Sequence, residues 1–207
     1  MLISSDRPMD RSARTTRVLG IAGSLRTHSH NRALLHSAAR VAPAGMSISV
    51  YDGLRSVPLF NEDLENELGL PPGVARLRDA IAASDGLLIA TPEYNQSIPG
   101  VLKNAIDWLS RAPYGEGLAG VPVAIMGATT GPWGTRLAQA SLRQILVATE
   151  ALVLPNPTLF VRNAASRFDD ERTLVDIETR TRVQDLLMAF GDWIQLVSPK
   201  TRRVDAI

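Results

Sequence analysis

Residues 18–31 read Val18-Leu19-Gly20-Ile21-Ala22-Gly23-Ser24-Leu25-Arg26-Thr27-His28-Ser29-His30-Asn31, an apolar run that breaks at a glycine into a polar loop. Arg32-Ala33-Leu34-Leu35 follows and opens a helical pattern in which Leu34, Ala38 and Val41 share one face. Strand, turn and helix in that order form half of a β-α-β unit, and the succession recurs. Further apolar runs stand at 47–51, 86–90, 121–126 and 151–154. The run at 86–90, Gly-Leu-Leu-Ile-Ala, has no polar alternation, which suits a strand covered by helices on both faces. Amphipathic stripes separate the runs: Val74, Leu77 and Ile81; Leu102, Ala105, Ile106 and Leu109; Leu142, Ile145, Leu146 and Thr149; and a long final one from Val183 to Val197. Five strand–helix repeats predict a three-layer α/β/α sandwich on a five-stranded parallel sheet. Five strands favour the flavodoxin-like order 2-1-3-4-5 over a full dinucleotide fold. Residues 155–170 remain an unassigned connection, with Asp169 or Asp170 as the expected cap of the last helix.

A chain of 207 residues fits one domain, large enough to bury a core without disulfides or metals. The expected division is a disordered extension at 1–16, a domain at 17–197 and a tail at 198–207. A net charge of +1 gives no electrostatic reason to expect nucleic acid or membrane as partners. The absence of cysteine excludes thiolate catalysis and cysteine-ligated metals, and three histidines confined to 28–36 argue against a histidine metal site. Residues 1–16 lack the apolar core of a secretory signal, and no run has the length of a membrane span, so the expected location is cytoplasmic.

Ligands of open parallel sheets sit beyond the carboxyl ends of the strands, so the loops after strands one, three and four carry the functional reading. The first offers Ser24, Arg26, Thr27, Ser29 and Asn31 just ahead of a helix N-terminus, a chemistry that suits phosphate. It lacks both G-x-G-x-x-G and G-x-x-x-x-G-K-[ST], which favours a terminal phosphomonoester over a pyrophosphate or a nucleoside triphosphate. The plainer alternative is that Ser29 or Asn31 only caps the helix. His28 and His30 could help hold the phosphate, but the plainer reading is solvated loop histidines. The second loop, 91–100, is Thr-Pro-Glu-Tyr-Asn-Gln-Ser-Ile-Pro-Gly, and its two prolines stiffen a segment whose tyrosine can lie against a planar ring. Otherwise it is a rigid turn with Tyr94 on a neighbouring subunit. Downstream, Lys103 and Asp107 form an i, i+4 pair on an exposed face, and Trp108 belongs to the core or an interface. The third loop, Gly-Ala-Thr-Thr-Gly-Pro-Trp-Gly-Thr at 127–135, is either a flexible surface loop or a close backbone approach to a ligand.

Taken together, Gly23-Ser24-Leu25-Arg26-x-x-Ser29-x-Asn31 and Pro92-Glu93-Tyr94-Asn95-x-x-x-Pro99-Gly100-x-Leu102-Lys103-Asn104-Ala105-Ile106-Asp107-Trp108 resemble the NADPH-dependent FMN reductase family, with its flavodoxin-like quinone and chromate reductases. Pro58-Leu59-Phe60-Asn61-Glu62-Asp63 and Leu142-Arg143-Gln144 add to the resemblance, which spans about residues 17 to 195. It implies that Ser24, Arg26, Ser29 and Asn31 hold the FMN phosphate. Pro92, Glu93, Tyr94 and Asn95 would lie along the isoalloxazine ring, with Thr129, Thr130 and Gly131 at its other edge. It also implies NADPH or NADH as co-substrate, hydride transfer through flavin N5 to a quinone, flavin or other small-molecule acceptor, and a homodimer or homotetramer with the flavin near a subunit interface. No catalytic side chain is required, because the flavin carries the chemistry. The third loop departs from the family's usual glycine pair with a nearby arginine: Pro132, Trp133 and Arg136 stand there instead. Three alternatives remain open at this point: a flavodoxin-type electron carrier without NAD(P)H activity, a flavin-free binding protein of the same fold, and an enzyme for which FMN is a released substrate.

Overall fold

The structure, a computed structural model, describes residues 14–114 and 117–198. The expected extension at 1–16 and tail at 198–207 therefore lie mostly outside the described residues. Within them, Arg14 pairs with Asp85 and the first strand starts at Thr16.

Among the described residues six strands, all in parallel, form one sheet: β1 Thr16–Ala22, β2 Met46–Tyr51, β3 Gly86–Ala90, β4 Pro122–Ala128, β5 Leu152–Val153 and β6 Leu159–Val161, in the order β2-β1-β3-β4-β5 with β6 also on β4. The helices are α1 His30–Arg40, α2 Glu62–Leu68, α3 Pro72–Ala82, α4 Gly100–Leu109, α5 Arg136–Ala148 and α6 Ile177–Val197. No helix among the described residues is long and apolar enough to cross a membrane.

The unbroken apolar strands are explained by which side each residue faces. Val18, Leu88, Ala124 and Met126 pack with α1 and α6, while Leu19, Leu87, Ile89, Val123 and Ile125 pack with α3, α4 and α5. Alternate residues thus serve two separate cores, so a polar residue has no face to occupy. Gly86 lets α6 close onto the sheet, since a Cβ there would stand 2.9 Å from both Phe190 and Ile194.

Three differences from the sequence reading have local causes. The fifth position in the sheet is split: β5 pairs with the start of β4 and β6 with its end, through Met126↔Leu159 to Ala128↔Val161. Pro155 and Pro157 lie in the gap, where neither can donate to a ladder. The connection at 155–170 therefore contains a sixth strand. Between β2 and β3 the chain forms two helices, α2 and α3, broken at Gly69 with φ +70°. The last helix is capped by Asp176, whose carboxylate accepts from the Thr179 N–H at 2.8 Å. Asp169 instead closes the preceding turn by accepting from the Thr173 N–H, and Asp170 lies in that same turn.

The second loop's downstream residues are structural. Trp108 is fully buried; its Nε1–H and the Asn104 amide both donate to the Pro58 carbonyl, and Asn104 Oδ1 accepts from the Phe60 N–H. Lys103 and Asp107 form the expected i, i+4 pair.

Candidate functional site

The first loop leaves β1 at Gly23, whose N–H donates to the Ala90 carbonyl of β3. A Cβ there would come within 3.1 Å of Leu102, so the residue holds the loop against the sheet end. Ser24 Oγ accepts from the Arg26 N–H, and Ser29 Oγ accepts from the Arg32 N–H as the cap of α1, both at 3.3 Å. The plainer reading of Ser29 as a cap is therefore part of the answer. In each case the hydroxyl is used as an acceptor, leaving its own O–H to donate elsewhere. The N–H groups of His30 and Asn31, in the first turn of α1, have no helical acceptor. Arg55 braces the loop from outside by donating to the Leu25 carbonyl.

Asn31 does something the sequence reading did not expect. Its Nδ2 donates to the Ala128 carbonyl and its Oδ1 accepts from the Ala128 N–H, both at 2.8 Å, with the side chain buried. It ties the start of α1 to the end of β4, and so joins the first loop to the third.

The second loop contains a tight hairpin. Tyr94 and Ser97 exchange both backbone hydrogen bonds, and the central pair Asn95 and Gln96 have φ of 49° and 65°, the pattern of a type I′ turn. Tyr94 is 46% exposed. Glu93 reaches across to α5, where its Oε2 accepts from the N–H groups of Leu137 and Ala138. Thr135 makes no side-chain cap of its own, so Glu93 supplies the negative charge at that N-terminus from a distant loop. At the base of the third loop, a Cβ on Gly127 would fall 2.1 Å from Thr135 Oγ1 and 2.4 Å from the Thr91 carbonyl. Only glycine lets these two loops meet. The third loop is fixed on its far side as well: Thr129 N–H donates to Val161, and Gly131 accepts from Asn163. It is not the free surface loop that was one of its two readings. Arg136 lies over the Phe160 ring at 5.6 Å, and Trp133 is 77% exposed.

These loops enclose a cleft of about 210 Å³ at the carboxyl ends of β1, β3 and β4. Ser24, Arg26, Ser29, Asn31, Pro92, Glu93, Tyr94, Thr129 and Thr130 all line it. Asn95 and Gly131 do not; the first is a turn residue and the second anchors its loop. His30, whose plainer reading was a solvated loop residue, lines it, and so does Ala128. His30 packs on Phe168 with ring centroids 5.5 Å apart, and its Nδ1 is sealed from solvent and has no hydrogen-bond partner among the described residues. Burial first, then the nearby cations Arg172 and Arg26, hold this imidazole below its ordinary pKa. Hydroxyl donors, a guanidinium and a helix N-terminus at one end, with a tyrosine at the rim, form a donor set that fits a phosphate attached to a planar ring.

A larger cleft, about 580 Å³, lies at the opposite end of the sheet, near the starts of β3 and β4. Two of its charged groups are already engaged: Asp85 accepts from Arg14 and the Arg17 N–H, and Arg78 donates to the carbonyls of Leu109 and Tyr114. The smaller cleft is the one in which hydroxyls, a guanidinium and a helix N-terminus converge.

Residues 16–166 match the family model for NADPH-dependent FMN reductases. The chain belongs to that family. It is 46% identical over 179 residues to an NAD(P)H-dependent FMN reductase of Pseudomonas aeruginosa, an alignment covering 86% of this chain and 95% of the relative. It is 39% identical over 181 residues to a quinone reductase of Escherichia coli, covering 87% and 96%. Among solved structures it resembles FerB, a flavoenzyme NAD(P)H:(acceptor) oxidoreductase of Paracoccus denitrificans, with a TM-score of 0.79 and 32% identity over 87% of this chain and 98% of that one. As a member of the FMN reductases the chain is an FMN-dependent oxidoreductase. The family match stops at residue 166, so Phe168 and Arg172, which flank His30, fall outside it.

Proposed function

We propose that the protein oxidises NADH or NADPH through FMN held in the 210 Å³ cleft and delivers the electrons to a small acceptor of quinone type. The observation that carries this is the convergence of three loops, far apart in sequence, on one cleft at the strand ends. Ser24 and Ser29 donate hydroxyl hydrogen bonds to the phosphate, Arg26 supplies its positive charge, and the first turn of α1 adds backbone N–H groups. Pro92 and Tyr94 lie along the ring, and Thr129 and Thr130 face it from the third loop. Glu93 and Asn31 keep these loops in register. When bound, FMN supplies the hydride chemistry, accepting from the nicotinamide and yielding to the acceptor. The protein's own work is to bind, orient and expose the ring, so no side chain needs a protonation change. The activities for which its relatives are named support the quinone as acceptor, one of them being a 2-hydroxy-1,4-benzoquinone reductase from a Burkholderia species.

Self-association is part of the proposal. Tyr94, Trp133 and Leu137 are exposed apolar side chains on the segments around the cleft, a placement that suits burial against a second copy in a homodimer or homotetramer. The cytoplasm, where reduced nicotinamides are available, is the proposed setting. The test is steady-state oxidation of NADPH and of NADH with 1,4-benzoquinone, with and without added FMN. Quinone-dependent turnover supports the reading, and its absence with both donors and FMN present refutes it.

A further inference from the structure

We propose that His30 is a neutral hydrogen-bond donor, through Nε2–H, to the phosphate of a phosphomonoester held in the cleft. The proposal rests on the reading of the cleft as an FMN phosphate site and adds a residue outside the loop's serine, arginine and asparagine pattern. His30 is the first residue of α1, placed between Ser29 and Asn31, and it lines the cleft while remaining partly exposed. Its two ring nitrogens are not equivalent. Nδ1 is sealed without a partner, beside the Phe168 ring. A proton on Nδ1 would bury an N–H with no acceptor, which costs more than leaving a lone pair unmatched. A bare Nδ1 leaves only an unpaired lone pair, the milder defect. The proton therefore belongs on Nε2, at the ring's accessible side.

The same geometry keeps the ring uncharged. Adding a proton would place the N–H that Nδ1 cannot accommodate and would set a cation near two others. The charged groups that face His30 are Arg26 from its own loop and Arg172 from the connection before α6, and both are positive. Arg172 is held there in a left-handed conformation, φ 64°, within the turn closed by Asp169 and Thr173. His30 thus contributes direction, and Arg26 contributes charge.

The experiment titrates FMN and riboflavin into the full-length chain and into His30→Phe, His30→Gln and His30→Asn, followed by flavin fluorescence. It is paired with nitrogen-15 spectra of the histidine rings. Phenylalanine keeps the packing on Phe168 but has no donor. The glutamine amide nitrogen stands in for Nε2, and the asparagine one for Nδ1. The expected result is FMN binding about tenfold weaker in His30→Phe and His30→Asn and restored to within about threefold in His30→Gln, with riboflavin unaffected throughout. In the wild-type spectra His30 should show the Nε2–H form at neutral pH and stay neutral on FMN binding. An unaltered FMN affinity in His30→Phe, an equal loss for riboflavin, or an Nδ1–H form would each overturn the role of His30 while leaving the cleft reading intact. Absence of saturable FMN binding in the wild-type protein would overturn both.

Discussion

Arg26 and Asn31 sit five residues apart in one loop and do different work, and substitution should separate them. Arg26 is exposed and lines the cleft. Arg26→Ala should leave the melting temperature unchanged and weaken FMN binding by about tenfold, with riboflavin affinity unchanged; equal affinity for FMN would remove Arg26 from the site. Asn31→Ala strands the buried N–H and carbonyl of Ala128. It should cost about 2–3 kcal/mol in urea unfolding and lower affinity for FMN and riboflavin together, because the first and third loops lose their tie. The residue types at the cleft were legible in the sequence, since hydroxyls and a guanidinium ahead of a helix have few other reasons to gather. What each group does was less so. Asn31 and Ala128 are 97 residues apart, and nothing local signals that they meet. His30 reads from the sequence as a loop histidine, because the Phe168 ring it packs on comes from the last connection, beyond the family motifs.

At the scale of elements, the strands and amphipathic helices followed from periodicity, and the misreadings occurred where a short element depends on its neighbour. β6 is only three residues long and forms because the end of β4 offers an open ladder after two prolines. The cap of α6 was placed six or seven residues early, since Asp169, Asp170 and Asp176 are alike in isolation and only the tertiary turn chooses among them. That cap gives a pH prediction. Hydrogen bonding from Thr179, and then the Arg167 guanidinium, hold the Asp176 carboxyl below the usual aspartate range. A depressed carboxyl stabilises the fold fully above its unfolded pKa, about 3.9, and loses that contribution as pH falls through the folded value. Asp176→Ala should therefore lower stability by about 1 kcal/mol at neutral pH, and the gap from wild type should close below about pH 4. A gap that persisted undiminished into acid would contradict the cap's ionic character.

On the scale of the whole molecule, the sheet decides where chemistry can occur. Every strand of a parallel sheet ends at the same edge, so the loops after β1, β3 and β4 meet there whatever their separation in sequence. Asn31, Glu93 and Gly127 join those loops to one another, while at the other end Asp85 and Arg78 of the larger cleft are held by neighbouring groups. The central claim is that this edge holds FMN and passes it electrons from a nicotinamide. Its most direct test is the visible absorption spectrum of the purified protein with one equivalent of FMN, recorded before and after anaerobic NADPH and, separately, NADH. The expected result is a flavin spectrum perturbed by binding that bleaches on addition of at least one donor. A bound flavin that stays oxidised with both, or a spectrum identical to free FMN that neither donor bleaches, would contradict it.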